Sequence, residues 1–351
     1  MDLDDFLRFA SIDPEDMIGH IVNLPDQFQS AWKLGLESPL PEVRSFNRVV
    51  ISGMGGSAIG ADLLASYLAD RVTLPILIHR DYGLPAYASG SETLVVVSSH
   101  SGNTEESLSA FDEALRNQCQ VVVISTGGKL SSRAKTSGIP VWTFVHQGQP
   151  RAAVGFSFGL LLALFVRLGL LSDPSIEVEK TIELMREVSR PLQIDVPVKN
   201  NPAKRMAGQM VGRHITVFGS GFMSPVARRW KCQFNEVANA IASFEALPEA
   251  DHNTLAGVCN PSDLLQKEIS IFLQASTDLS RNQKRVDETR KIMMQEGFNT
   301  DLIEAKGETR LMQMWSTLLL GDYISYYLAI AYDSDPTAIA PIMALKEAMS
   351  K

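Results

Sequence analysis

The feature of this sequence that most limits its fold is a repeated alternation of short apolar runs with helical segments. Apolar runs of this length, alternating with helices, are typical of parallel strands whose sheet is covered on both faces. The first half of the chain therefore predicts an α/β fold with a mainly parallel sheet between layers of helices. The strands are predicted at 48–52, 75–79, 93–98, 120–125 and 140–145, and helices at 58–69 and 105–117.

The pattern restarts in the second half. Residues 214–225 echo the first strand and its glycine turn, and further strands are expected at 270–274 and 299–305 before a long helix at 309–332. Between the two patterns the chain becomes charged and rich in proline. Because 351 residues exceed the usual size of one hydrophobic core, we predict two related α/β domains. Residues 1–171 would hold an N-terminal helical region with the first domain, and 172–351 the second domain with C-terminal helices.

Residues 153–171 are apolar enough, and just long enough, to span a bilayer. Only Arg167 interrupts the run, and Gly155 and Gly159 have the spacing of closely packed helices. Since this is a lone candidate between α/β patterns that need a central helix, we predict a buried core helix and no membrane contact.

Charge and cysteine content limit the expected partners and compartment. A net charge of -8 gives no basic surface for nucleic acid. The three cysteines, Cys119, Cys232 and Cys259, form no CxxC pair, which argues against disulfides and a zinc site and favours a reducing cytoplasm. The acidic first residues do not have the pattern of a signal peptide. We therefore expect a cytoplasmic protein.

Two predicted strand-to-helix turns of the first domain are rich in glycine and hydroxyl groups. They would lie at the carboxyl edge of one sheet, where unpaired helix amides and the helix dipole favour an anion. Neither turn contains Lys or Arg, and neutral donors suit a monophosphate that must be released. The predicted phosphate-binding residues are Gly55, Gly56, Ser57, Ser99, Ser101 and Thr104.

Two other interpretations of these turns remain open. Ser57 and Thr104 would each also serve as a simple helix cap. The run from Gly53 to Ala58 formally matches the dinucleotide pattern GxGxxG/A. That pattern requires an acidic residue about twenty positions later, for which Asp81 is a late candidate, and it gives the second hydroxyl-rich turn no role.

The histidines give no sign of a metal centre. His20, His79, His100, His146 and His214 are not paired at ligand spacing, and neither HxxxH nor HExxH occurs. We therefore expect no metal and no other cofactor.

Seven motifs occur together along the chain: GMGGSAIGADLL, VVSSHSGNTEESL, STGGKL, QPRAA, FNEVANA, DHNTLAG and DPTAIAPIMALK. Together they resemble the bifunctional phosphoglucose/phosphomannose isomerases, which are built from sugar-isomerase (SIS) domains. SHSGNT alone is shared by the wider superfamily, whereas QPRAA followed by NEVAN and HN is specific to this branch. The resemblance implies two SIS domains, a metal-free homodimer, and interconversion of fructose 6-phosphate with glucose 6-phosphate or mannose 6-phosphate.

The resemblance also assigns roles to single residues. Glu236 matches the base that moves a proton between C1 and C2, and its apolar neighbours would desolvate it. Arg151 matches the cation beside the enediolate oxygen, since a guanidinium does not deprotonate. Without the resemblance, Glu236 would be read as a surface glutamate and Arg151 as a solvated arginine at a helix end.

Ring opening and epimer tolerance fall to residues later in the chain. His252 resembles the acid or base that opens the sugar ring, for which a near-neutral pKa is suitable. Lys346 resembles a lysine that assists ring opening, and Thr337 would lie near C2 and tolerate either epimer. Each is otherwise readable as a solvated residue of a loop or terminal helix.

Two positions depart from the family pattern. Members often carry an aromatic residue where His100 stands, and Asn where Asp251 precedes His252. Asp251 would raise the basicity of His252 if the two interacted.

Two alternatives to the proposed reaction remain. The first is another SIS isomerase, which would share the phosphate turns alone. The second is a non-catalytic sugar-phosphate sensor, whose usual basic DNA-binding module is not evident here.

Overall fold

The protein divides into two compact units. The structure, a computed structural model, describes residues 2–40, 42 and 44–349. The first unit is Leu24–Ile182, and the second combines Met1–Asn23 with Glu183–Lys351. The strands are β1 (Arg48–Ser52), β2 (Ile76–His79), β3 (Thr93–Ser99), β4 (Gln120–Ser125), β5 (Val141–Thr143), β6 (His214–Ser220), β7 (Ala242–Leu247), β8 (Glu268–Gln274) and β9 (Asn299–Glu304).

Helices make up most of the remaining regular structure. The α-helices are α1 (Phe9–Ile12), α2 (Met17–Val22), α3 (Leu24–Glu37), α4 (Gly55–Leu68), α5 (Glu105–Arg116), α6 (Gly128–Thr136), α7 (Val154–Arg167), α8 (Ser175–Ser189), α9 (Pro202–Met210), α10 (Ser224–Glu236), α11 (Ser280–Gln295), α12 (Arg310–Ala331) and α13 (Ala340–Met349). Short 3-10 helices lie at Phe6–Arg8, Pro150–Ala153, Arg190–Leu192, Gly221–Met223, Glu249–His252, Thr254–Gly257 and Ser262–Lys267.

The first unit is built on a five-stranded sheet of order β2-β1-β3-β4-β5, in which every neighbouring pair is parallel. All of β3 is buried, as are the three central residues of β1. Strands buried in this way need apolar side chains on both faces, which is why they read as continuous Val and Ile runs. The predicted parallel α/β architecture is confirmed, and the turns after β1, β3 and β4 open at one edge.

The apolar helix α7 lies in the interior of the first unit. The segment Pro150–Arg167 is long and apolar enough to cross a membrane, and 78% of it is buried. It packs against α3 and α4. A Cβ atom added to Gly159 would lie 2.7 Å from that of Ala31 on α3, so the glycine permits the close approach. The prediction of a buried core helix is confirmed.

The second unit has a parallel sheet of order β7-β6-β8-β9. The predicted strands β6, β8 and β9 are present, and so is the long helix α12, which Thr309 caps by accepting a hydrogen bond from the amide of Met312. The edge strand β7 was not predicted. Its sequence, ASFEAL, lacks β-branched residues, and its four central residues are only partly buried.

The compact units differ from the predicted domains at both ends of the first half. Phe9 packs against Tyr326 and Tyr327 of α12, with ring centroids 6.3 Å apart in both pairs, and this groups residues up to 23 with the second unit. At the other boundary, Glu177 of α8 accepts a hydrogen bond of 2.7 Å from the Tyr67 hydroxyl. Residues 172–182 therefore belong with the first unit.

Candidate active site

The first predicted phosphate turn joins β1 to α4. Gly55 has φ +49°, a conformation that favours glycine. A Cβ atom on Gly56 would clash with the carbonyl oxygen of Pro150, so this glycine lets the turn approach the 150–153 segment. Ser57 is buried, and its hydroxyl oxygen accepts a hydrogen bond of 3.1 Å from the amide of His100. The Ser57 side chain thus connects the first turn to the second.

The second predicted turn joins β3 to α5 and is held by its own hydroxyl groups. Ser99 Oγ lies 3.2 Å from Thr104 Oγ1 and accepts a hydrogen bond from the amide of Gly102. Ser101 Oγ accepts from the amide of Asn103. Thr104 occupies the N-cap position with extended backbone, yet among the described residues its hydroxyl makes no capping bond to α5. The amides at the start of α5 are therefore not satisfied by Thr104, as an anion site requires.

A third turn, between β4 and α6, supports the second. A Cβ atom on Gly102 would clash with the carbonyl oxygen of Gly127, and one on Gly128 would clash with that of Ser101. Asn103 Oδ1 accepts a hydrogen bond of 3.1 Å from the amide of Lys129. Glycine on both sides therefore lets two turns pack backbone to backbone.

The predicted cation Arg151 lies beside the first turn. It belongs to the short helix Pro150–Ala153, which packs on the start of α4, and only 2% of the residue is exposed. Gln27 fixes this segment because its side-chain amide donates to the carbonyl of Ala152 and accepts from the amide of Gly155, both at 2.8 Å. The alternative of a solvated arginine at a helix end is excluded by this burial.

Glu236 is the last residue of α10 in the second unit. Two contacts with α12 hold the helix: the buried ion pair of Arg229 with Asp322 at 2.8 Å, and a hydrogen bond of 3.0 Å from Trp230 Nε1 to the carbonyl of Thr317. Glu236 is partly exposed, whereas its neighbours Phe234, Val237 and Ala238 are buried, as the sequence predicts. The carboxylate is thus presented from an anchored, apolar helix end.

The segment that contains Thr337 is tied to the same helix end. Asn239, which has φ +50°, donates from its side-chain amide to the hydroxyl of Ser334 at 3.0 Å. Thr337 is buried, and its amide donates to the Asp335 carboxylate at 2.8 Å. The structure therefore brings the NEVAN motif close to the DPT motif.

His252 and Lys346 lie on exposed elements of the second unit. His252 ends the short helix Glu249–His252, and Lys346 is on α13, which has no buried residue over its described length. The carboxylate of Asp251 accepts hydrogen bonds of 2.8 Å from Arg285 and Thr289 on α11, rather than pairing with His252. Asp251 therefore anchors the loop, and its expected effect on the basicity of its neighbour stays a prediction.

Comparisons with known proteins show the family. Residues 199–349 match the model of the bacterial phospho-glucose isomerase C-terminal SIS domain. The bifunctional phosphoglucose/phosphomannose isomerase of Caldicellulosiruptor bescii is 37% identical over 337 residues, covering 95% of this chain and 99% of the relative. The chain belongs to the bifunctional phosphoglucose/phosphomannose isomerase family. It is a sugar-phosphate isomerase.

A second sequence relative and a solved structure also resemble this isomerase. The relative of the same description from Aquifex aeolicus is 31% identical over 88% of this chain and 92% of its own length. A hypothetical protein of Thermus thermophilus, solved by crystallography, superposes with a TM-score of 0.74 at 13% identity, covering 98% of this chain and 92% of that one. The structural likeness shows the fold, and the sequence relatives show the family.

Three residues that organise the isomerase's first unit were not predicted. Asn103 links the second and third turns, Ser157 donates from its hydroxyl to the carbonyl of Gly56 at 3.1 Å, and Gln27 fixes the Arg151 segment. Each of the three side chains bonds to backbone groups that are distant in the sequence, and such contacts leave little trace in a sequence. The one sign was the glycine pair of STGGKL, which permits close backbone packing.

Among the described residues, no group of three or more His, Cys, Asp or Glu is placed to hold a metal ion.

Proposed function

We propose that the chain interconverts fructose 6-phosphate with glucose 6-phosphate and mannose 6-phosphate through an enediolate. The observation that carries the proposal is the group of three interlocked turns at one sheet edge, with the buried Arg151 beside the first. Neutral hydroxyls and helix amides suit a phosphate monoester. A buried guanidinium next to them suits an anion that forms only during reaction.

The phosphate would be bound by Ser57, Ser99, Ser101 and Thr104 with the amides of the turns. All four hydroxyls already form hydrogen bonds within the turns, so they are held in place before a ligand binds. Pre-organised donors bind an anion without an ordering cost.

The resemblance assigns the proton transfer to Glu236. Its carboxylate would remove the proton from C2 of the open-chain aldose, the electron pair moving to O1, where Arg151 stabilises the enediolate. Transfer of the O2 proton to O1, together with return of the first proton to C1, gives the ketose. Because the enediolate has lost the configuration at C2, return to either face of C2 yields glucose 6-phosphate or mannose 6-phosphate, a choice that we assign to the neighbourhood of Thr337.

Ring opening would precede this step. His252, assisted by Lys346, would move a proton from the anomeric hydroxyl to the ring oxygen, as an imidazole near neutral pH can do in both directions. We further propose a cytoplasmic homodimer in which His252 of one chain completes the site of the other, acting in sugar-phosphate metabolism.

The deciding experiment is incubation of metal-free protein with fructose 6-phosphate. Glucose 6-phosphate and mannose 6-phosphate are assayed separately, and a parallel sample with ammonia is assayed for glucosamine 6-phosphate. We expect the first two products and none of the third. Formation of neither hexose phosphate refutes the proposal, and glucosamine 6-phosphate as the main product would assign a different SIS reaction.

A further inference from the structure

Two histidines face each other beside the second turn, and the mechanism above uses neither. His100 is the second residue of that turn, and His146 follows β5. His100 Nε2 lies 2.9 Å from His146 Nδ1, and the ring centroids are 5.1 Å apart with planes at 82°. One hydrogen bond therefore joins the two imidazoles.

Aromatic rings hold this pair in place. Phe144 contacts His100 edge to face at 5.9 Å, Phe156 contacts His146 at 6.0 Å, and the two phenylalanine rings stack at 4.8 Å. Burial in these surroundings lowers the pKa of His100, so its ring is neutral near pH 7 in the free protein.

Charged side chains are present on the elements around the pair but do not set this pKa. Lys129 is in the first turn of α6, Arg151 precedes α7, and Glu105 and Glu106 begin α5. The side chain in direct contact with the His100 ring nitrogen is His146. Burial is the one cause that shifts the pKa of His100. The neutral pair can therefore bind a proton when a negatively charged group binds nearby.

The backbone of His100 connects all three turns. Its amide donates to Ser57 Oγ of the first turn at 3.1 Å, and its carbonyl accepts from the amide and hydroxyl of Thr126 of the third, at 3.1 Å and 2.7 Å. The first two turns contain no Lys or Arg. A phosphate bound there is therefore close to the main chain that carries the His100 ring.

The chemistry of two hydrogen-bonded imidazoles permits one added proton. In the neutral pair, one inner nitrogen donates and the other accepts. A single added proton keeps that hydrogen bond, spreads one positive charge over two rings and makes both outer nitrogens donors. A second proton would set N–H against N–H and break the contact.

We propose that the His100–His146 pair takes up one proton when a phosphate dianion binds to the three turns, and so supplies the positive charge that the first two turns lack. The location of the phosphate rests on the proposed function. The pair acts as a specificity device because it favours a dianion over a neutral sugar, and it makes affinity depend on pH. Since binding raises the pKa of the pair, affinity is full below the pKa of the free pair, falls as the pH rises from there to the raised pKa of the bound pair, and is level above it.

Proton uptake is measured directly by titration calorimetry with sorbitol 6-phosphate, which has no carbonyl group and cannot isomerise. The observed heat is compared in buffers of different ionisation enthalpy near neutral pH. We expect the wild type to take up a fraction of a proton approaching one per site. His100→Phe, which keeps an aromatic ring beside Phe144, loses the uptake, and His146→Gln loses it as well. His20→Gln, on α2 of the second unit, is the matched control and retains it.

Kinetics give a second readout. For the wild type, KM for fructose 6-phosphate rises by up to about tenfold per pH unit between the pKa of the free pair and that of the bound pair, whereas in His100→Phe it is higher at neutral pH and nearly flat. If the wild-type protein takes up a proton on binding inorganic phosphate but forms no hexose phosphate, the proposed role of the histidine pair is supported and the proposed function is refuted. If the wild type and both histidine variants take up the same fraction of a proton, the proposed role of the pair is refuted, whether or not isomerisation occurs.

Discussion

At the scale of single residues, the carboxylate of Glu236 carries the most specific prediction. Glu236→Gln keeps the shape of the side chain but cannot accept the migrating proton, so kcat should fall by roughly 10²–10⁴ while phosphate affinity is unchanged. Steady-state kinetics with fructose 6-phosphate and calorimetry with sorbitol 6-phosphate measure the two quantities. The control is Glu113→Gln, whose carboxylate pairs with Arg116 on the surface of α5. A kcat within tenfold of the wild type would remove Glu236 from the mechanism.

The hydroxyl groups of the turns should affect binding more than chemistry. Phosphate contacts are made in the ground state and in the transition state alike, so losing them raises KM without a matching loss of kcat. The double variant Ser57→Ala and Thr104→Ala removes two donors worth about 1 kcal/mol each, so KM should rise by roughly tenfold or more. If the affinity for sorbitol 6-phosphate is unchanged in the double variant, the phosphate group binds elsewhere in the protein.

The local placement of residues was predictable where a motif follows a strand, and contacts between residues distant in the chain were missed. The hydroxyl-rich turns could be recognised because glycine and serine directly follow apolar strands. The burial of Arg151 could not, since it depends on Gln27 and Gly56, which are far from it in the chain. The ion pair of Asp251 could not be predicted for the same reason: its partner Arg285 lies on a later helix.

At the scale of elements, the contact between the second and third turns is testable by a matched pair of glycine variants. Gly102 and Gly138 have φ of +65° and +69°, so alanine is strained at both. Only at Gly102 does the new Cβ also clash with backbone, whereas around Gly138 there is open space. We expect Gly138→Ala to cost about 1–2 kcal/mol of stability with normal KM.

Gly102→Ala should cost more and should also raise KM, because the phosphate turn must move away from the third turn. Denaturant unfolding gives the stability and steady-state kinetics gives KM. If the two variants lose equal stability and both keep a normal KM, the third turn does not position the second.

Elements were predicted well where burial on both faces gives a long apolar run, as in β3 and β4. Strand β7 and helix α6 are among the elements that were missed. The edge strand β7 is only half buried, so its sequence has no such run. Helix α6 is short and mostly exposed, and begins at the glycine pair that lets it approach the second turn. At both places packing against neighbours outweighs local propensity.

At the scale of the whole molecule, the proposed shared site predicts complementation between two inactive variants. Glu236→Gln and His252→Ala chains, when mixed and exchanged, form dimers in which one site carries both lesions and the other carries neither. Random exchange makes about half of the dimers mixed, each with one intact site, so roughly a quarter of wild-type activity should return.

The exchange itself must be verified by native mass spectrometry of tagged chains. If Glu236 and His252 served the site within one chain, every site in the mixture would remain damaged. Mixed dimers that have formed and stay inactive would therefore reject the shared arrangement.

The attachment of Phe9 to α12 has a consequence for the order in which the chain folds. Domains tend to fold during synthesis as soon as their residues are available. The first unit is continuous in the chain and can be complete while the strands of the second sheet are still unmade. The segment with Phe9 is synthesised before it, yet its aromatic partners Tyr326 and Tyr327 come near the end. The nascent chain thus carries an exposed apolar segment through most of translation, and the last long helix ends that exposure.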